Sequence, residues 1–127
     1  MNCEYILDSS AWAAYFDGAP HGEKIHLIIE HKRLGTSIIA LAELADLFIR
    51  RNQAFDRYLQ FIHSRSTLLP LTVPLALTAA KLKNMMRLKH QKFGIADGIH
   101  LATAQQEHAT LVTTDGDFSN MSDVLLL

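Results

Sequence analysis

Apolar and polar positions along this chain follow two rhythms, short apolar runs and longer stretches at helical spacing. Tyr5-Ile6-Leu7 is a brief apolar run that stops at Asp8 and predicts a buried strand. Ser9 or Ser10 is suited to cap a helix through Ala11-Trp12-Ala13-Ala14-Tyr15-Phe16, which Asp17-Gly18 ends. Pro20 opens a second helix with Ile25, Leu27, Ile28 and Ile29 on its apolar side. Leu34-Gly35-Thr36 reads as a second strand. Leu41, Leu44, Ala45 and Phe48 then recur at helical spacing and predict a helix over 37–51. Phe55, Leu59 and Ile62 keep register over 54–65. Leu68-Leu69 reads as a weak third strand. Pro74 fits the first turn of a long helix running to about Lys92. Gly94 interrupts, and another helix runs from about Ile95 to His108. The run Thr110-Leu111-Val112-Thr113 predicts a strand that ends at the acidic turn Thr114-Asp115-Gly116-Asp117. Val124-Leu125-Leu126 is a last short strand.

Strands that alternate with helices predict an α/β fold with a mainly parallel sheet. No repeat and no Gly/Ser/Pro-rich linker breaks the pattern, so residues 1–127 are expected to form one domain. In such sheets ligands bind outside the carboxyl ends of the strands. Asp8 follows the first strand and Asp115 the strand over 110–113, so both are expected at the same edge.

Composition narrows the classes. With 49% apolar residues, 127 residues can bury a true core. A single thiol, Cys3, excludes a disulfide framework and a cysteine-ligated zinc site. No apolar run spans a membrane, and no basic flank and apolar core of a signal peptide precede Asp8. A reducing, cytoplasmic setting is expected. The net charge of −1 conceals unlike blocks. Residues 57–96 carry seven bases and no acid, whereas residues 97–127 carry five acids and no base. A solvated helix face and a polyanion-binding surface both account for the basic block.

Four acids carry the candidate chemistry, although three of them have structural explanations. Asp8 suits a helix cap, Asp97 a helix N-terminus and Asp115 a turn. Glu43 is harder to dismiss. Its helical neighbours Ile39, Ala40 and Leu47 are apolar, and no Lys or Arg is spaced to pair with it, whereas Asp46 has Arg50 four residues on. A carboxylate on an apolar flank must be paired, protonated or bound to a cation. Asp97 lies in a similar small-residue helix with Ala96, Gly98, Ile99, Leu101 and Ala102. Converging carboxylates repel one another without a cation, and hard oxygen ligands suit Mg²⁺ or Mn²⁺. The seven histidines form no rival site: His21, His26 and His31 scatter around a helix, and His100 and His108 read as surface or partly buried residues.

The segments Ile6-Leu7-Asp8-Ser9-Ser10, Ser37 to Leu44, Ile95 to Ala104 and Leu111 to Phe118 resemble, in order, the four motifs of the PIN-domain nucleases. The likeness spans Ile6 to Phe118, and the size matches the single-domain toxins of VapC type. It implies a three-layer α/β/α fold around a central five-stranded parallel sheet, and Mg²⁺- or Mn²⁺-dependent cleavage of RNA with one or two ions per site. By position it makes Asp8, Glu43, Asp97 and Asp115 the catalytic acids, makes these four with Asp117 the metal ligands, and makes Ser10 and Thr113 supporting hydroxyls. Gly98 and His100 stand where bulkier or more apolar residues are usual, and Gly116 where a polar or basic one is common.

The implied mechanism is attack by metal-activated water on a phosphodiester, with Glu43 orienting or deprotonating that water or holding a second ion. Arg50, Arg51, Lys81, Lys83, Arg87, Lys89 and Lys92 are the expected RNA-contacting residues. Apolar helix faces over 10–16 and 41–49 lead us to expect a homodimer, and the resemblance adds an antitoxin partner. The alternative is a non-catalytic PIN-like interaction module. A phosphorelay receiver domain is a poor fit, because no acidic pair follows the first strand and no lysine follows Lys92. A haloacid-dehalogenase-type phosphatase fits poorly too, with Ser10 where its second Asp belongs. A dinucleotide-binding fold lacks its glycine-rich loop here.

Overall fold

The computed structural model describes residues 3–127, so the first two positions of the span expected as one domain lie outside the described residues. In chain order the elements are β1 (Tyr5–Leu7), α1 (Ser9–Phe16), α2 (Gly22–His31), β2 (Leu34–Ser37), α3 (Ile38–Arg50) and α4 (Asp56–Arg65). There follow β3 (Ser66–Leu69), α5 (Val73–Met86), α6 (Ile95–Glu107), β4 (Thr110–Thr113), a 3₁₀ turn (Gly116–Phe118) and β5 (Val124–Leu126). The five strands form one sheet in the order β3-β2-β1-β4-β5, and every pairing is parallel. The expected α/β/α architecture is therefore present, with β1 at the centre.

Successive strand residues face opposite sides of a sheet, and β1 divides the core in this way. Leu7, with Val112 of β4, packs against Trp12, Ile25, Ile29, Leu44, Phe48 and Ile62 from α1 to α4. Ile6, with Leu111, packs on the other face against Phe93, Leu101, Ala104 and Phe118. Trp12 is fully buried, and its indole Nε1 donates to Thr36 Oγ1 at 3.1 Å, so α1 is pinned to β2 by a hydrogen bond as well as by packing. No helix of the described residues is long and apolar enough to cross a membrane.

Several boundaries differ from the sequence pattern. Asp8, rather than Ser9 or Ser10, caps α1, its side chain accepting from the Ala11 backbone N–H. Gly18, at φ +67°, adopts the left-handed turn that follows α1. The second helix begins at Gly22 rather than at Pro20, which lies in the preceding turn. The helix expected to reach Lys92 stops at Met86. There the chain turns back, the Arg87 Nε donates to the Phe93 carbonyl, and Phe93 is fully buried. β3 extends over four residues because each of them is in register with β2. The apolar face over 10–16 is covered within the chain: Ala11 and Trp12 are buried, and Phe16 and Tyr15 pack against Tyr58 and Phe61 of α4. On α3, Ile38 and Ile49 remain exposed.

Candidate metal centre

The carboxyl edge of the central strands carries the acids. Asp8 ends β1 and is almost fully buried. Its Oδ1 accepts from Ser10 Oγ at 2.6 Å and from the Ala11 N–H at 3.0 Å, and its Oδ2 accepts from Thr113 Oγ1 at 2.6 Å. Burial pushes the Asp8 carboxyl above the usual carboxylate range, and these hydrogen bonds only partly oppose it. The two hydroxyls continue into the next loop. The Thr114 N–H donates to Ser10 Oγ, the Asp115 N–H to Thr113 Oγ1 at 3.0 Å, and the Asp117 N–H to Asp115 Oδ1 at 2.9 Å. One hydrogen-bonded chain thus runs from β1 through β4 to the acidic turn, and it fixes where Asp115 and Asp117 stand.

Asp97 enters from α6. Its Oδ2 accepts the Gly94 N–H at 2.8 Å, as an acid in a first helical turn does. Asp97, Asp115 and Asp117 each offer an oxygen within 4.8 Å of the others, the spacing at which one ion can be held. All three are half-buried. Burial pushes the Asp97 carboxyl up, and the Asp115 and Asp117 charges add to that rise against the Gly94 hydrogen bond. Three hard oxygen donors with no thiol or imidazole among them fit Mg²⁺ or Mn²⁺.

Glu43 has a partner that local spacing could not reveal. His100 of α6 donates from Nε2 to Glu43 Oε1 at 2.8 Å, and Ser9 Oγ donates to the same oxygen at 3.1 Å. The imidazole is buried, contrary to the surface or partly buried reading of its sequence. Its Nδ1 lies 3.5 Å from Ser37 Oγ, a long contact. Burial alone would pull the His100 pKa down. The Glu43 hydrogen bond and the charges of Asp8, Glu43 and Asp97 outweigh it and push the imidazole up. Burial likewise tends to raise Glu43, but His100 and Ser9 together hold its carboxyl below the usual range. His100, Ser9 and Ser37 are the site residues the sequence reading missed. The available signal was a polar His100 three residues after Asp97, on the same helix face and between Ile99 and Leu101.

The expected RNA-contacting residues are dispersed. Arg50 pairs with Asp46 at 3.0 Å and borders a pocket of about 240 Å³ with Ser9, Ser10 and Glu43, so it lies on the Glu43 side of the site. Arg51 pairs with Asp17 at 3.0 Å, at the end of α1 remote from Asp8. Lys81, Arg87, Lys89 and Lys92 are exposed and Lys83 is half-buried. α5, which carries Lys81 and Lys83, packs along α6, the helix of Asp97.

A family model described as PIN domain matches residues 5–124. No curated protein matches the chain in sequence. Among solved structures, the chain is similar to a chain of a toxin–antitoxin complex from Klebsiella pneumoniae, at 20% identity and TM-score 0.75 over 96% of each chain. It is similar to Mycobacterium tuberculosis VapC20, a Sarcin-Ricin loop cleaving toxin, at 19% identity and TM-score 0.72, covering 95% of this chain and 97% of that one. It is also similar to a chain of Rickettsia felis VapBC2 bound to a DNA fragment from its promoter, at 20% identity and TM-score 0.70, covering 97% and 96%. At these identities the likeness is one of fold.

Proposed function

The chain belongs to the PIN domain family, and from that premise we propose that it is a Mg²⁺- or Mn²⁺-dependent endoribonuclease, the toxin of a toxin–antitoxin pair. The observation that carries this reading is the trio Asp97, Asp115 and Asp117, held within 4.8 Å on a scaffold of hydrogen bonds that begins at Asp8. The Asp115 and Asp117 charges add to the rise of the Asp97 carboxyl, and a divalent cation relieves such repulsion. In this reading the trio holds the ion, and Asp8, through Ser10 and Thr113, keeps the Asp115 loop in place. A bound divalent cation supplies charge for the scissile phosphate and lowers the pKa of water. Glu43, kept ionised by His100 and Ser9, accepts the proton of the attacking water. The water oxygen forms its bond to phosphorus as the bond to the leaving ribose oxygen breaks, and that oxygen takes a proton from solvent.

Arg50 and the cations of α5 and the segment after it are suited to the RNA backbone, which makes binding salt-dependent. The toxin–antitoxin complexes among the structural neighbours support an antitoxin partner. Exposed Ile38 and Ile49 of α3, with Val73 and Leu77 of α5, favour a homodimer.

The test combines binding and turnover. Purified protein is titrated with Mg²⁺ or Mn²⁺ while melting is followed, and is incubated with structured RNAs, with Asp97→Asn as the control. At a hundred times Kd the metal is expected to add about 2.7 kcal/mol of stability. RNA is cut only with metal and only by the unsubstituted protein. Full activity in Asp97→Asn, or melting indifferent to metal with no cleavage, refutes the proposal; the latter result is what a non-catalytic interaction module gives.

A further inference from the structure

We infer that His100 is a positioning residue for Glu43: it fixes one oxygen of that carboxylate, Oε1, and leaves the other, Oε2, without a partner among the described residues. The inference deepens the nuclease reading above and rests on it. A glutamate on a helix surface samples several rotamers, and a group that must meet a water molecule in one place loses rate when it wanders. Here Oε1 receives two donors, His100 Nε2 at 2.8 Å and Ser9 Oγ at 3.1 Å, while no hydrogen bond from the described residues reaches Oε2.

The donor is itself held. The His100 side chain is only 3% exposed, against 39% for Glu43, so the ring cannot follow the carboxylate outward. Its Nδ1 faces Ser37 Oγ, and Ser37 caps α3 by accepting the Ala40 N–H at 3.1 Å. An ionised Glu43 can only accept at 2.8 Å, so a neutral ring carries its proton on Nε2. A doubly protonated ring also donates from Nε2. In either state the bond to Glu43 has the same direction. His100 stands three positions after Asp97 on α6, so one helix carries a trio member and the group that aims Glu43. A carboxylate present only to satisfy a buried imidazole has no need of Ser9 on the same oxygen.

The test compares His100→Leu, His100→Asn and His100→Gln under single-turnover cleavage of a labelled RNA with Mn²⁺. Glutamine places an amide donor near the position of Nε2, while asparagine is equally polar but too short. His100→Leu and His100→Asn are expected to lower kcat about 10–100-fold with KM unchanged, and His100→Gln to restore most of the loss. Adding His100→Leu to Glu43→Gln is expected to cost nothing further, because both remove one function. Mn²⁺ affinity, read by electron paramagnetic resonance, stays within about threefold in all three single variants. If His100→Leu fails to fold, the Asn and Gln pair carries the comparison. Equal rates for Asn and Gln, losses that multiply with that of Glu43→Gln, or collapse of Mn²⁺ binding in His100→Gln overturn the inference while the nuclease reading stands. An unsubstituted protein that cuts no RNA with either metal overturns the nuclease reading, and this inference with it.

Discussion

Gly98 is where α6 meets α5, and replacing it by alanine tests whether that crossing sets the position of the metal centre. A Cβ at residue 98 would stand 2.5 Å from the Ala79 carbonyl oxygen and 3.3 Å from both the Ala79 carbonyl carbon and Lys83 Cβ. The oxygen is helix backbone and cannot swing aside. To reach ordinary contact at 3.4 Å the helices must separate locally by about 0.9 Å. Overpacking of this kind costs about 1–3 kcal/mol. Alanine returns about 0.8–1.0 kcal/mol through helix propensity. Because the obstacle is backbone, the cost falls in the upper part of its range. The net loss is then about 1–2 kcal/mol, or about 3–8 °C in Tm for a chain of this size. Urea denaturation read by circular dichroism measures the first quantity and calorimetry the second. Gly116→Ala is the control: nothing lies within 4 Å of its Cβ, so the same change there is expected to be neutral or to stabilise by about 0.4–1 kcal/mol. Displacing α6 also moves Asp97 relative to Asp115 and Asp117, so the metal-linked rise in Tm is expected to shrink in Gly98→Ala. A Gly98→Ala protein as stable as wild type, with its metal response intact, refutes the argument.

Two further outcomes follow from the same geometry. In metal-free buffer, Asp97→Asn is expected to melt higher than wild type at neutral pH, because burial, with the Asp115 and Asp117 charges, raises the Asp97 carboxyl above its ordinary 3.8 in the folded state. A raised carboxyl gives stability that is present below the unfolded value and lost as pH rises through the folded one. The variant and wild type should therefore converge below pH 3.8 and diverge above it, as scanning fluorimetry in chelator can measure; a metal-free wild type that is the more stable at neutral pH contradicts the shift. Trp12→Phe removes the Nε1 donor to Thr36 and some buried ring volume, while Thr36 keeps its 2.9 Å contact with Ser66 Oγ. A loss of about 1–3 kcal/mol is expected in urea denaturation, and an unchanged midpoint shows the bond to be dispensable.

The parts of the fold and site that could be read from the sequence are those encoded within a few residues. The alternation of strand and helix, and the position of Asp8 and Asp115 at strand ends, depend on spacing along the chain. What escaped depends on distance through the fold. His100 and Glu43 are 57 residues apart and Ser9 and Glu43 are 34 apart, so no helical-neighbour rule pairs them. Glu43 read as an unpaired carboxylate, correct for its own helix and incomplete for the molecule. The same limit misplaced the end of α5. Residues 87–92 favour helix by propensity, but burial of Phe93 requires the chain to turn first, and burial outweighs propensity there. At α1, Asp8, Ser9 and Ser10 are all good caps. Only the strand end selects Asp8, and the two serines are thereby free for Glu43 and Asp8 itself.

The charge balance acquires a spatial meaning from this arrangement. Asp8, Glu43, Asp97, Asp115 and Asp117 account for five negative charges, so the rest of the chain is +4. The five are not equivalent. Asp8 accepts three hydrogen bonds, which only partly oppose its burial, and Glu43 accepts from His100, so these two have internal partners. The uncompensated charge is that of Asp97, Asp115 and Asp117: Asp97 and Asp115 each accept a backbone N–H, and none of the three contacts a cationic side chain among the described residues. In the proposed nuclease, a phosphate backbone near this trio would be repelled by it unless a divalent ion were held there. On that proposal, the ion that the chemistry needs is the same one that lets the substrate approach, which ties binding to readiness for cleavage without any moving part.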